Sequence, residues 1–350
     1  MAANPELLHQ LTTEEPAAPD VDLSWLDASA TRAGMAAKPG KRGLTLDEIS
    51  VGAYALGAGA PDDTERPRGV AARIGVPRVG YHIREASNVW SQNTSLLYEE
   101  AIQRQWSSAT DIPWRELAPL PDEIERAMCQ LCTFLTEVEF IAGDTPAQWL
   151  PRISNEHFET KLFLATQIMD EARHLDVFRK RALANGGGLM KASPGTNLRT
   201  IIDARDFTEM SSIMHVQAEG FVQSMFRMGE LIAHSDVEKR IFRLCAQDES
   251  RHLGFGVMHL KYVLETEPQR REEIHSYFDE AERTDPGRGT FSQDTAEALV
   301  ILLGDGDADE GSKKLFALQR RQVNEYLHRL EVAGLGERRE RMDANVARFL

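Results

Sequence analysis

Along most of the chain, apolar residues return every three or four positions rather than every second one. Between residues 121 and 144, Ile124, Leu131, Leu135 and Val138 recur at spacings of three, four and seven, which places them on one face of a helix. Comparable patterns run over 93–107, 152–184, 198–233, 235–265 and 268–283. The breaks carry helix punctuation. "PLPDE" puts Pro121 near a first turn, "NGGG" at 185–188 ends a helix, and "ASPGTN" follows as a loop. Strand alternation is almost absent. The pattern predicts an all-α protein whose four principal helices, 121–144, 152–184, 198–233 and 235–265, form a central bundle. Residues 1–80, rich in Ala, Pro and Gly, read as an irregular N-terminal arm with short helical signals such as "TLDEISVGAYAL". The bundle domain is then 81–284, and 285–350 is a C-terminal extension of shorter helices.

Composition narrows the function classes. A chain of 350 residues can bury a substantial core. Its net charge of −15 argues against a general nucleic-acid binder and against docking on anionic lipid. No apolar run approaches the ~20 residues of a membrane span, and the N-terminus lacks a signal-peptide pattern. Three cysteines point to a reducing compartment, so a cytoplasmic location is expected. Cys129-x-x-Cys132 lies within a helical pattern and has no second CxxC, which reads as small buried thiols rather than a metal clip. Trp90, Trp106, Trp114 and Trp149 read as packing residues.

One internal echo stands out. "MDEARHLDVF" at 169–178 is nearly rewritten as "QDESRHLGFG" at 247–256. In a helix, Glu at one position and His three residues on share a face, so both can reach one metal. Glu171 with His174, and Glu249 with His252, are therefore two half-sites. Each lacks a further oxygen ligand, and the chain offers one at matching offsets. Glu139 precedes Glu171 by 32 residues (171 − 139) and Glu219 precedes Glu249 by 30 (249 − 219). Such a length runs down one helix and back to the same level on the next. Within "TEVEF", Glu137 and Glu139 are about 200° apart on a helix, so only one points inward; Glu139 is preferred. Asp170 and Asp248 precede the glutamates, and Arg173 and Arg251 precede the histidines. The Asp of each motif is placed to reach the His or Arg of the other, supplying the acceptor that a metal-bound imidazole needs for its second nitrogen. His157 and His215 read as neighbours of the site rather than ligands. Six ligands in such apolar surroundings require compensating positive charge.

"FLTEVEFIAG", "FLATQIMDEARH" and "QDESRHLGFG" resemble the ligand-bearing helices of ferritin-like dimetal-carboxylate oxidases and oxygenases. That superfamily includes bacterial multicomponent monooxygenase hydroxylases, ribonucleotide reductase small subunits and their ligand-binding oxidase relatives. "LYEEAIQRQWSSATDIPW" is similar to the segment that enters the bundle in the last group. The resemblance covers about 93–265. It implies a ferritin-like four-helix bundle with additional N- and C-terminal helices. It also implies two metal ions, Fe/Fe or Mn/Fe, held by Glu139, Glu171, His174, Glu219, Glu249 and His252, with no catalytic residue beyond these ligands.

The implied activity is that of an oxidoreductase with O2 as co-substrate, a monooxygenase in the first instance. Its partners would be a small, largely apolar organic substrate and an external electron donor or reductase, since no flavin or iron–sulfur signature is present. Hydroxylation, N-oxygenation and desaturation all fit, and a homodimer is allowed. The alternative is a ferritin-like iron-oxidising, iron-storing or peroxide-handling protein. Three departures from the family patterns matter. Reductase subunits keep a radical tyrosine four residues after the first ExxH, where this chain has Phe178. Ligand-binding oxidases crosslink a tyrosine five residues before the third Glu, here Met214. Arylamine N-oxygenases add a histidine one turn before the last ExxH, here Cys245.

Overall fold

The computed structural model describes residues 5, 6, 9, 21–27, 37–50, 64–70, 73–193, 199–284 and 292–350. Most of the expected arm, including Tyr54 and the end of "TLDEISVGAYAL", and most of "ASPGTN" lie outside them. Among the described residues the regular structure is helical, and extended pairing is limited to isolated bridges such as Ile83 with Ile153. None of their helices is long and apolar enough to cross a membrane.

Helix α1 (Thr94–Gln103) leads into α2 (Asp122–Trp149), which starts after Pro121. Helix α3 (Phe158–Ala184) follows through short 3₁₀ turns and stops where Gly186 and Gly188 take positive φ, a conformation glycine reaches without penalty. The periodic stretch 198–233 is not the single helix its pattern predicts. It divides into a short turn at Arg199–Ile202, α4 (Phe207–Ser211), a π-helical segment Ser212–Ala218, α5 (Glu219–Arg227) and a last turn at Gly229–Ile232. One cause is local: Asp206 accepts from the Glu209 amide and starts a new helix there. Helix α6 (Asp236–Thr266) opens on a capping box in which Ser235 and Glu238 satisfy each other's backbone amides.

Helices α2, α3, α4–π–α5 and α6 make the bundle, with α2 against α3 and α5 against α6. Outside it lie α7 (Arg271–Thr284), α8 (Gln293–Gly304) on α2, and α9 (Ala308–Ala333) on α5 and α6. At 26 residues, α9 is longer than the short helices expected there. Two apolar clusters fill the bundle, one around Leu131, Phe178, Phe226 and Phe242, the other around Phe163, Leu164, Met210 and Phe255. On α3 and α6 the acidic-histidine motifs fall between them, so hydrophobic packing on both sides fixes the level of the polar layer. A buried Arg181 ties three helices at one end, donating to Glu125 of α2 at 2.8 and 2.9 Å and to Glu238 of α6 at 2.7 Å. Losing one partner of such a group typically costs about 3–5 kcal/mol.

Candidate metal centre

Four helices bring six side chains to one point inside the bundle. Glu139 comes from α2, Glu171 and His174 from α3, Glu219 from the start of α5, and Glu249 and His252 from α6; each is at most 5% exposed. They form two overlapping groups: Glu139, Glu171, His174 and Glu249, and Glu171, Glu219, Glu249 and His252. Within each group the ligand-type atoms lie within 4.8 Å of one another. His174 Nδ1 is 3.0 Å from Glu171 and 3.3 Å from Glu249, while His252 Nδ1 is 3.0 Å from Glu171 and 3.4 Å from Glu249. Glu171 and Glu249 therefore belong to both halves, a sharing that motif spacing alone does not reveal. Glu137 is turned away and accepts from the Ser193 amide.

The donor set fits two cations. Glu139 Oε1, Glu171 Oε1, Glu219 Oε2, Glu249 Oε2 and His252 Nδ1 are buried without a hydrogen-bond partner, although ordinary buried polar atoms are paired. Burial drives Glu139 and Glu219 well above the usual carboxylate range. Burial would raise Glu171 too, but His252 and His174 outweigh it and hold this carboxyl low. Four carboxylates balance two divalent ions, and cation binding would release the protons that Glu139 and Glu219 otherwise retain.

A second layer of charge surrounds the first. Asp248 accepts from His174 Nε2 at 3.2 Å, Arg173 at 3.1 Å, Arg251 at 2.5 Å and the Trp106 indole N–H at 2.7 Å. Asp170 accepts from His252 Nε2 at 3.3 Å, from Arg251 at 2.7 Å and from Arg173. Each Asp thus reaches the His of the opposite motif, and two aspartates face two arginines, so this layer is neutral by itself. Burial pushes the Asp248 carboxyl up, but His174 and the two arginines prevail and hold it low. With Nε2–H donated to an aspartate, each imidazole presents Nδ1 to the centre, where a metal would take the place of a proton.

Among the neighbours, Trp106 departs from its sequence reading. Trp106 is more than packing: besides bonding Asp248 it stacks on His174, with ring centroids 6.4 Å apart, and carries Arg173 over its face. His157 bonds the Arg84 carbonyl and ties the chain preceding α1 to α3, whereas His215 lies behind Glu219. Gln167, four residues before Glu171, donates to Glu219 at 2.9 Å. Its only sequence signal is a polar residue one turn from a ligand in an apolar run. Cys129, Cys132 and Cys245 are buried and free. A narrow cavity of ≈ 20 Å³ opens onto Glu139, Glu219 and Glu249, walled by Val138, Ile141, Ala142, Ile201, Met214, Ala218 and Val222.

No protein-family model matches the chain, and no curated protein matches it in sequence. Solved structures do match. One is an R2-like ligand-binding oxidase with aerobically reconstituted Mn/Fe cofactor, 19% identical, covering 69% of this chain and 93% of that one at a TM-score of 0.55. A variant of such an oxidase with aerobically reconstituted Fe/Fe cofactor is 18% identical, covering 69% and 94% at a TM-score of 0.53. At this identity the likeness is one of fold: the chain is a ferritin-like helical bundle, built as these oxidases are.

Proposed function

We propose that this chain is a cytoplasmic dimetal-carboxylate oxidoreductase, a monooxygenase that uses O2 to oxidise a small, largely apolar organic molecule. The observation that carries the reading is the convergence of four carboxylates and two imidazoles, with five unpartnered buried atoms, beside an apolar cavity. Glu139, Glu171, His174 and Glu249 would hold one ion, and Glu171, Glu219, Glu249 and His252 the other. When bound, two irons, or manganese with iron, supply the redox change that O2 reduction requires. Fe/Fe and Mn/Fe cofactors are carried by the oxidases of like fold, and hard carboxylates suit both metals. All six groups belong to one chain.

The chain's own residues shape the rest. Asp170 and Asp248 hold the imidazoles in one tautomer, and the two arginines hold the aspartates in place. The cavity has room for about one water-sized molecule. A larger substrate therefore requires Met214, Ile201 or Val222 to move aside, and their apolar side chains select against charged molecules. Incorporating one oxygen atom of O2 into C–H or N–H and releasing the other as water consumes two further electrons. The sequence carries no flavin or iron–sulfur signature, so these electrons would come from an external donor or reductase.

The test is oxygen uptake after anaerobic loading with Fe(II), alone or with Mn(II), in the presence of a reductant and a panel of alkanes, alkylamines and arylamines. Uptake stimulated by one compound, with an oxygenated product, is the expected result. Uptake indifferent to every compound, but sustained by Fe(II) well beyond the loaded ions, would assign iron oxidation and storage instead.

A further inference from the structure

Behind Glu219 lies a chain of buried groups that metal binding does not itself require. Gln167 of α3 is fully buried and donates from Nε2 to Glu219 Oε1 at 2.9 Å. Its Oε1 faces His215 Nε2 at 3.2 Å, and His215 Nδ1 faces Ser211 Oγ at 2.8 Å. With Glu219 ionised, as a metal ligand must be, the hydrogen-bond roles allow one arrangement. An amide oxygen cannot donate, so His215 must carry its proton on Nε2, and Nδ1 then accepts from the Ser211 hydroxyl. Turning the amide over would press its oxygen against the ionised Glu219 carboxylate. The chain therefore has a single register.

The backbone supports the same end. The π-helical segment carries His215 and closes where the Glu219 N–H bonds the Met214 carbonyl. Gly256 of α6 faces His215, where a Cβ would stand 2.3 Å from the His215 Cβ. Only glycine lets α6 approach closely enough to seat the imidazole. Glu139, the matching carboxylate on the other side, has no comparable support. Its Oε1 is unpartnered, its Oε2 lies 3.9 Å from His174 Nδ1, and no side-chain amide among the described residues bonds it.

We infer that Gln167 and His215 are positioning residues that pin Glu219 so that it offers a metal one oxygen, leaving Glu139 as the carboxylate free to change its binding mode. This rests on the dimetal reading. With Oε1 committed to the amide, Oε2, buried and unpartnered, is the atom that faces the centre. The position beside His252 is then the rigid one, and the position beside His174 the adaptable one.

The experiment is anaerobic Fe(II) titration of the full chain, read by Mössbauer spectroscopy for the two iron environments and by circular dichroism for helix content. Wild type should bind two irons in two distinguishable environments. Gln167→Leu should alter one environment alone and weaken that site by about 10–100-fold, the usual effect of removing a group that orients a ligand. His215→Leu should act in the same direction, and His215→Gln, which can still donate to the Gln167 oxygen, should restore much of the loss. If wild type binds two irons but the leucine variants leave both environments unchanged, or disturb both equally, the inference fails while the dimetal reading stands. Wild type that binds no iron would overturn the dimetal reading itself. Should Gln167→Leu not fold, the comparison of His215→Leu with His215→Gln decides alone.

Discussion

The two halves of the centre start from nearly the same five residues and end up differently supported. Around His174, Asp248 accepts from four side chains, including the Trp106 indole, and the terminal carboxylate Glu139 sits on an unbroken helix. Around His252, Asp170 accepts from three, and the terminal carboxylate Glu219 sits at the exit of a π-helical segment with Gln167 behind it. A pair of metal ions would account for the symmetry, because each would need an imidazole and carboxylates. It places no demand on what lies behind the ligands, and there the halves are free to diverge. Two positions that look equivalent in sequence thus present unequal sites.

The largest effect is expected where the halves share a ligand. Glu249 belongs to both groups, so Glu249→Ala should lower loading from about two metals per chain to well under one, whereas Glu139→Ala and Glu219→Ala should each remove one. Elemental analysis after anaerobic loading, with circular dichroism to check helix content, measures this. A Glu249→Ala protein that retains one full metal would end the claim of sharing.

Next come the aspartates. Asp248→Ala removes the acceptor of the Trp106 N–H and leaves Arg173 and Arg251 to share Asp170 alone, and should cost about 3–5 kcal/mol in chemical denaturation, the range for leaving buried charge uncompensated. Asp170→Ala, with one donor fewer, should cost less. Equal losses would show that the extra tryptophan bond has no energetic consequence. A smaller change isolates that bond. Trp106→Phe keeps an aromatic ring over His174 but drops one hydrogen bond to a charged acceptor, worth about 1.5–3 kcal/mol at most. Its effect on metal affinity should be confined to the His174 side, as a two-site titration would show.

The smallest expected effect is none. Phe178 and Met214 stand where the sequence resemblance would place oxidisable tyrosines, and both are packed among apolar side chains. Oxygen exposure of the Fe(II) protein should therefore leave no long-lived tyrosyl signal in electron paramagnetic resonance. Intact mass should likewise show no two-dalton loss at a tyrosine. Either observation would mean that one half sends oxidising equivalents to a tyrosine after all.

Much of this was open to reading in the chain. Period-3.6 patterning predicts the long helices, because burying one face of a helix demands apolar residues at that spacing. The repeated Asp-Glu-x-Arg-His marks both halves of the candidate centre, since a helix turn sets Glu and His on one face whatever the surroundings. Near-equal offsets pick out Glu139 and Glu219, because helix length and turn length together set the level at which a neighbouring helix returns. What these cues share is locality. The rest depended on which helix lies behind which. That Glu171 and Glu249 serve both groups follows from the approach of α3 to α6 across the bundle. That Trp106 bonds Asp248, 142 residues away, follows from where α1 ends. The break in the stretch 198–233 combines a local cap at Asp206 with a π turn that apolar periodicity cannot register. Gln167 and His215 acquire their roles only when three helices meet, since a hydrogen bond between distant residues leaves no periodic trace in either segment.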